Sequence, residues 1–345
     1  MPDRDWKIFN GKRKPHDEVL QFLENDKLCP QWRNFPQRFR EDHPDAEHRI
    51  KALRQAPDET DDRGKKFLAT SDMVEMVNAA LYIRRPLLIT GKPGTGKSSL
   101  IYSVAYELKL GKVLRWPITT RSTLKDALYQ YDAIGRLQEA DLIRLRGETS
   151  IPDIGKYLRL GPLGTALLPS RRPRALLIDE IDKSDVDLPN DLLNIFEEGE
   201  YEIPELVRLK EQEREIKLRP YDAQDPVTII EGRVRCFHFP FIVMTSNGER
   251  EFPAPFLRRC IRLEIQQEDS VFQEIVAEHL GAEVIEEAQP IITNFLNCRE
   301  EQDLATDQLL NIIFLITRDN GPGDAQERKR LIKALLKELK PAETI

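Results

Sequence analysis

Between Phe67 and Ile265 the apolar positions follow two rhythms. Short dense runs, "PLLIT" (86–90), "KVLRWPITT" (112–120), "RALLIDE" (174–180), "PFIVMTSN" (240–247) and "IRLEI" (261–265), read as strands. Helical spacing fills the gaps between them. "SDMVEMVNAALYIR" opens on Ser71 as an N-cap, and "KSSLIYSVAYELKLG" closes on Gly111. "STLKDALYQYDAIGRLQ" opens on a capping serine, Ser122, and "DLPNDLLNIFEEGE" is amphipathic. Strands that alternate with helices imply an α/β fold with a parallel sheet. Beyond about residue 266 the pattern is helical throughout, in "SVFQEIVAEHL", "TDQLLNIIFLITR" and "AQERKRLIKALLKEL". "RDNGPGD" breaks the chain before the last of these.

Residues 1–66 have a different texture, rich in proline, charge and the aromatics Trp6, Phe9, Trp32, Phe35 and Phe39. "DEVLQFLEN" and "EHRIKALRQ" suit short helices, and "APDETDDRGKK" reads as an exposed linker. The aromatics suggest docking onto the following domain. The expected organisation is an N-terminal extension (1–66), an α/β nucleotide-binding core (67–265) and a helical lid (266–345).

The net charge is -7 over 345 residues, which argues against a general nucleic-acid-coating protein. Cys29, Cys236, Cys260 and Cys298 show no CxxC spacing and read as free thiols in a reducing cytoplasm. The first residues are polar, no apolar run has membrane-spanning length, and a cytoplasmic location is expected.

"GKPGTGKSS" fits G-x-x-x-x-G-K-[ST] through Gly91, Gly96, Lys97 and Ser98, with Pro93, Gly94, Thr95 and Ser99 completing the loop. A strand precedes it and a helix follows. The glycines let backbone N–H groups cradle phosphates at a helix N-terminus. Lys97 then reaches the β- and γ-phosphates, and the Ser98 hydroxyl binds Mg²⁺. "RALLIDEID" supplies acids at a strand end: Asp179 to hold the Mg²⁺ water shell and Glu180 to polarise an attacking water. Asp182 and Asp185 read as solvated or structural. "PFIVMTSN" ends in Asn247, whose amide can reach a γ-phosphate or hold the water. Asn-Gly is equally a common turn pair, so the residues leave both roles open.

"GKPGTGKSS", "LLIDEID", "TSN" and "FLRRC", in this order and on these strands, resemble the AAA+ ATPases over about residues 67–340. "WPITTRSTLKDALYQYDAIGRLQ", "DEIDKSDVDLPNDLLNIFEEGEYEIPE" and "FPFIVMTSNGEREFPAPFLRRC" resemble the MoxR-like subgroup. The resemblance implies a P-loop parallel sheet sandwiched by helices, with an all-helical C-terminal lid. It implies that Asn247 is a γ-phosphate sensor. It also implies that Arg258 or Arg259 reaches the nucleotide of a neighbouring subunit in a ring, with a hexamer expected. An insert is implied within about residues 119–168, and a hairpin turning at Gly232. The lid helix of "DLATDQLLN" lacks the arginine that the family often has there, and Arg318 comes late in it.

The function implied is ATP hydrolysis with Mg²⁺ that remodels a protein partner, in some relatives a von Willebrand A domain protein. ATP is favoured over GTP because no [NT]KxD guanine-reading motif appears. The competing readings are a nucleic-acid-associated motor and an ATP-dependent switch, including one within a multi-gene defence system.

Overall fold

A computed structural model describes residues 6–25, 30–33, 62–170, 172–265, 271–281, 284–299, 306–317 and 324–335. The five anticipated strands form one sheet: β1 (Leu87–Thr90), β2 (Leu114–Pro117), β3 (Ala175–Asp179), β4 (Phe241–Ser246) and β5 (Ile261–Glu264), in the order β5-β1-β4-β3-β2. β3 pairs in parallel with β4 (Val243 opposite Leu177) and with β2 (Trp116 opposite Ile178). Every residue of β3 and β4 is buried, as strands covered on both faces require. The parallel sheet with flanking helices expected from the sequence is present.

By its contacts the chain divides into two compact units, Met1–Ile89 with Ser98–Leu263, and Thr90–Lys97 with Glu264–Ile345. In the second, helices Val271–Leu280, Ile285–Arg299, Thr306–Ile316 and Ala325–Leu335 follow one another. Val276, Ile292, Phe295, Leu309 and Ile312 make a core among the first three, and Ile332 of the fourth packs against it. Arg318 and "RDNGPGD" up to Gly323 lie outside the described residues.

Several local expectations shift in the first unit. Helix Ser71–Ile83 is capped by Thr70, whose hydroxyl accepts from the Met73 N–H, so Ser71 is the first helical residue. The helix that follows the glycine loop ends at Glu107. Its left-handed residue is Lys109 (φ 52°), with the Leu110 N–H returning to the Ala105 carbonyl, two residues before Gly111.

"STLKDALYQYDAIGRLQ" is not one helix. Thr123 caps Leu124–Leu128, and Tyr129–Tyr131 then pairs antiparallel with Leu158–Leu160. A second helix, Ala133–Leu145, begins at Asp132. Aromatics favour the extended form when a partner strand exists. The approach is close: a Cβ on Gly164 would lie 1.9 Å from the Leu128 carbonyl oxygen. Helix Ala133–Leu145 has no buried residue, and Ile134, Leu137, Leu142 and Leu145 face solvent.

The hairpin at Gly232 is present. Glu231 and Gly232 both have positive φ, 52° and 71°, which a two-residue I′-type turn needs. It belongs to a four-stranded sheet whose outer strands, Glu200–Glu202 and Glu215–Leu218, were not anticipated.

The N-terminal segment is anchored by buried polar groups. The side-chain Oδ1 of the fully buried Asn78 accepts the N–H groups of Ile8 and Phe9, at 2.7 and 3.0 Å. The fully buried Glu107 carboxylate accepts those of Asn10 and Arg13, at 2.6 and 2.9 Å. Asp17 is bonded to Arg172 and Lys109. Phe9 is buried, whereas Trp32 is 79% exposed. The described end of the "linker" is a helical turn, Asp62–Lys66, docked on the helix Lys97–Glu107: Arg63 lies over the Tyr102 ring. Phe35, Phe39, Cys29 and "EHRIKALRQ" lie outside the described residues.

Candidate functional site

The glycine loop leaves β1 and enters helix Lys97–Glu107 directly. Gly91, Gly94 and Gly96 have φ of 155°, 73° and 81°, a run of turns that side-chain-bearing residues rarely adopt. A Cβ on Gly91 would lie 2.6 Å from the Ile265 carbonyl oxygen. Thr95 is buried and its hydroxyl donates to the Lys92 carbonyl at 2.9 Å. Pro93 and Gly94 stay exposed at the tip. The Lys97 ammonium donates to the carbonyls of Gly91 and Lys92, both at 2.7 Å, and so spans the loop from inside.

Ser98 and Asp179 are brought together. The Ser98 hydroxyl donates to Asp179 Oδ1 at 2.9 Å, and the Thr245 hydroxyl donates to the same oxygen at 2.8 Å. Arg115, on β2, donates to Oδ2 at 2.7 Å. Burial pushes the Asp179 carboxyl up, but the bonds from Arg115, Thr245 and Ser98 together outweigh it and hold the group below its ordinary value. The carboxylate is therefore ionised. Ser98 and Asp179 offer hard oxygen donors of the kind a Mg²⁺ ion takes, and the residues present fit that ion.

Glu180 follows at the end of β3 in a left-handed conformation, φ 61° and ψ 52°. This is costly for a residue with a side chain and concentrates at functional sites. Its N–H donates to the Thr245 hydroxyl at 2.9 Å, so one hydroxyl serves both acids. Its half-exposed carboxylate pairs with Lys183 at 2.8 Å.

Asn247 follows β4. Its backbone N–H donates to Asp182 Oδ2 at 2.8 Å, and that of Glu249 to the same atom at 3.3 Å. Asp182 is buried, so of the two roles open to it the structural one holds. Arg250 reaches the Ser184 carbonyl at 2.9 Å and the Asp185 carbonyl at 3.3 Å. Asp182 and Arg250 thus stitch the loop after β4 to the loop after β3. The sequence reading missed Arg250, Thr245 and Arg115. Thr245 and Arg250 stand near the end of β4 and just after it, whereas Arg115 lies inside β2 and carried no local signal.

Arg258 and Arg259 diverge. Arg259 Nε donates to Glu197 Oε1 at 2.8 Å. The exposed Arg258 side chain has no hydrogen-bond or ion-pair partner among the described residues.

A glycine loop after the first strand of a β5-β1-β4-β3-β2 sheet, with paired acids at the end of β3, has the arrangement of a P-loop domain. Residues 86–260, just over half of the chain, match the family "AAA domain (dynein-related subfamily)", and the chain belongs to that family. It is a nucleotide-hydrolysing AAA+ domain. No curated protein matches the chain. Among solved structures, that of PCH-2 from C. elegans aligns with a TM-score of 0.39 and 13% identity, over 81% of this chain and 71% of that one. No helix among the described residues is long and apolar enough to cross a membrane.

Proposed function

We propose that the chain is a Mg²⁺-dependent ATPase of the MoxR-like kind, whose catalytic unit forms between two copies in a ring. It spends ATP on remodelling a protein partner. The glycine loop and Lys97 hold the phosphates, and Ser98 with Asp179 would hold the ion. When bound, the ion supplies positive charge to the phosphate oxygens. Glu180, once released from Lys183, orients and polarises the attacking water. Asn247 senses the γ-phosphate. Arg258 serves the neighbour's nucleotide, and Arg259 is a strut within its own chain.

The observation that carries this reading is the contrast at the arginine pair: one guanidinium is engaged in cis and its neighbour is presented to solvent. A positive group built to act within its own chain has no need of such presentation. A ring of six and a von Willebrand A domain partner are the finer expectations of the same reading. The nucleic-acid alternative is weakened by the net charge of -7.

The test is complementation. Lys97→Ala and Arg258→Ala are assayed for ATP turnover separately and mixed in equal amounts, with mass followed by light scattering. Recovery in the mixture supports a shared site. Wild-type turnover in Arg258→Ala, or an active monomer, overturns it.

A further inference from the structure

Arg258 is exposed, yet its own carbonyl and the side chain of the next residue are both held. Arg85 Nη1 donates to the Arg258 carbonyl at 2.5 Å. On the other side, Arg259 is held by Glu197 at 2.8 Å and by the Pro255 carbonyl at 3.3 Å. Glu197, near the end of helix Leu188–Glu198, is held in turn from the N-terminal segment. Arg33 Nη1 donates to the Glu197 carbonyl and to its carboxylate Oε2, both at 3.2 Å.

The contacts then close into a circuit. Arg33 Nη2 donates to the Arg84 carbonyl at 2.5 Å, and Arg84 Nη1 returns a bond to the Arg33 carbonyl at 3.3 Å. Arg84, in a left-handed conformation (φ 53°), is followed directly by Arg85, the residue that grips Arg258. Five arginines and one carboxylate make the loop. Arg33 is 3% exposed, with its guanidinium 5.0 Å from the centre of the Phe239 ring.

Among the described residues the buried Arg33 guanidinium pairs with the Glu197 carboxylate, and truncating one member of such a pair is costly. Glu197 bridges two guanidiniums, so its removal takes a carboxylate partner from both Arg33 and Arg259 at once and loosens the strut beside Arg258. A catalytic group misplaced by about 1 Å can lose about 10²-fold in rate.

We infer that Glu197, tied down by Arg33, is a positioning residue for Arg258, so that residues of the N-terminal extension set the arginine that this chain presents to a second copy of itself. The inference rests on the shared-site reading above.

The test uses the full chain. Glu197→Gln keeps the size of the side chain and removes its charge. Its kcat falls about tenfold or more, while KM for ATP stays within about twofold. Because the defect lies in what this subunit gives its neighbour, mixing it with Lys97→Ala restores turnover: the Lys97→Ala chain supplies a properly held Arg258. Arg33→Gln behaves alike and serves if Glu197→Gln does not fold. Glu197→Asp recovers part of the rate. A wild-type kcat in Glu197→Gln, or a loss that mixing does not restore, overturns the inference. Full turnover in Arg258→Ala brings down the shared-site reading itself. Loss in Arg258→Ala alongside normal Glu197→Gln brings down only the positioning role.

Discussion

Asp182 holds Asn247 by its backbone: the Asn247 N–H meets Asp182 Oδ2 at 2.8 Å, and Asp182 is buried. Asn247 is therefore placed by an acid three residues beyond the one that ends β3. Removing a buried carboxylate that accepts two N–H groups leaves both donors without that partner, at about 1–3 kcal/mol. Asp182→Ala is expected to lower ATP turnover about tenfold with nucleotide affinity nearly unchanged. Asp182→Asn, which keeps an acceptor oxygen, recovers much of it. Equal loss of binding and turnover in titrations and steady-state kinetics would contradict the placement.

Thr245 connects the two motif acids through one hydroxyl, accepting from the Glu180 N–H and donating to Asp179. Thr245→Val keeps the shape and loses both bonds, so urea unfolding should show about 1–3 kcal/mol less stability. Thr245→Ser should restore it. Unchanged stability in the valine variant would mean that the left-handed turn at Glu180 is held by other contacts.

Binding and turnover should separate at the two motifs. Lys97→Ala loses ATP affinity by about tenfold or more, read by calorimetry. Glu180→Gln keeps affinity and loses about 10²–10⁴-fold in turnover, the range of a positioned general base. Turnover surviving in Glu180→Gln would pass the role of polarising water to another group.

The N-terminal anchor carries an acid-side signature. Hydrogen bonds from Arg172 and then Lys109 lower Asp17 from 3.8 to about 2. A depressed folded-state value means that this contribution is complete above the unfolded value and lost as pH falls through the folded one. Wild type and Asp17→Asn should differ by at most about 1 kcal/mol near neutrality, since Asp17 itself is solvent-exposed. Their urea midpoints should converge between about pH 4 and pH 2. A gap that stayed constant on acidification would exclude the ion pair as its source.

The sheet was legible because each of its strands is a short apolar run punctuated by its own chemistry: glycines after β1, acids after β3, Asn247 after β4. The small strands were not. Tyr129–Tyr131 is three residues long and sits between two helical patterns, so only its pairing with Leu158–Leu160 makes it extended. Caps moved by one residue where neighbours both carry hydroxyls, as with Thr70 and Ser71. At the candidate site, Asp182 and Thr245 stand inside the motifs whose residues they hold, whereas Arg115 and Arg250 stand outside them. Arg33 and Glu197 are 164 positions apart, and no local pattern marks such a pair.

Helix Ala133–Leu145 points Ile134, Leu137, Leu142 and Leu145 outward and buries none of its own residues. Within the described residues the fold makes no demand on these four side chains, and exposed positions of this kind tolerate exchange within about 0.5 kcal/mol. The stability of the fold thus leaves the chemistry of this helix's outer face open, whatever that face is used for.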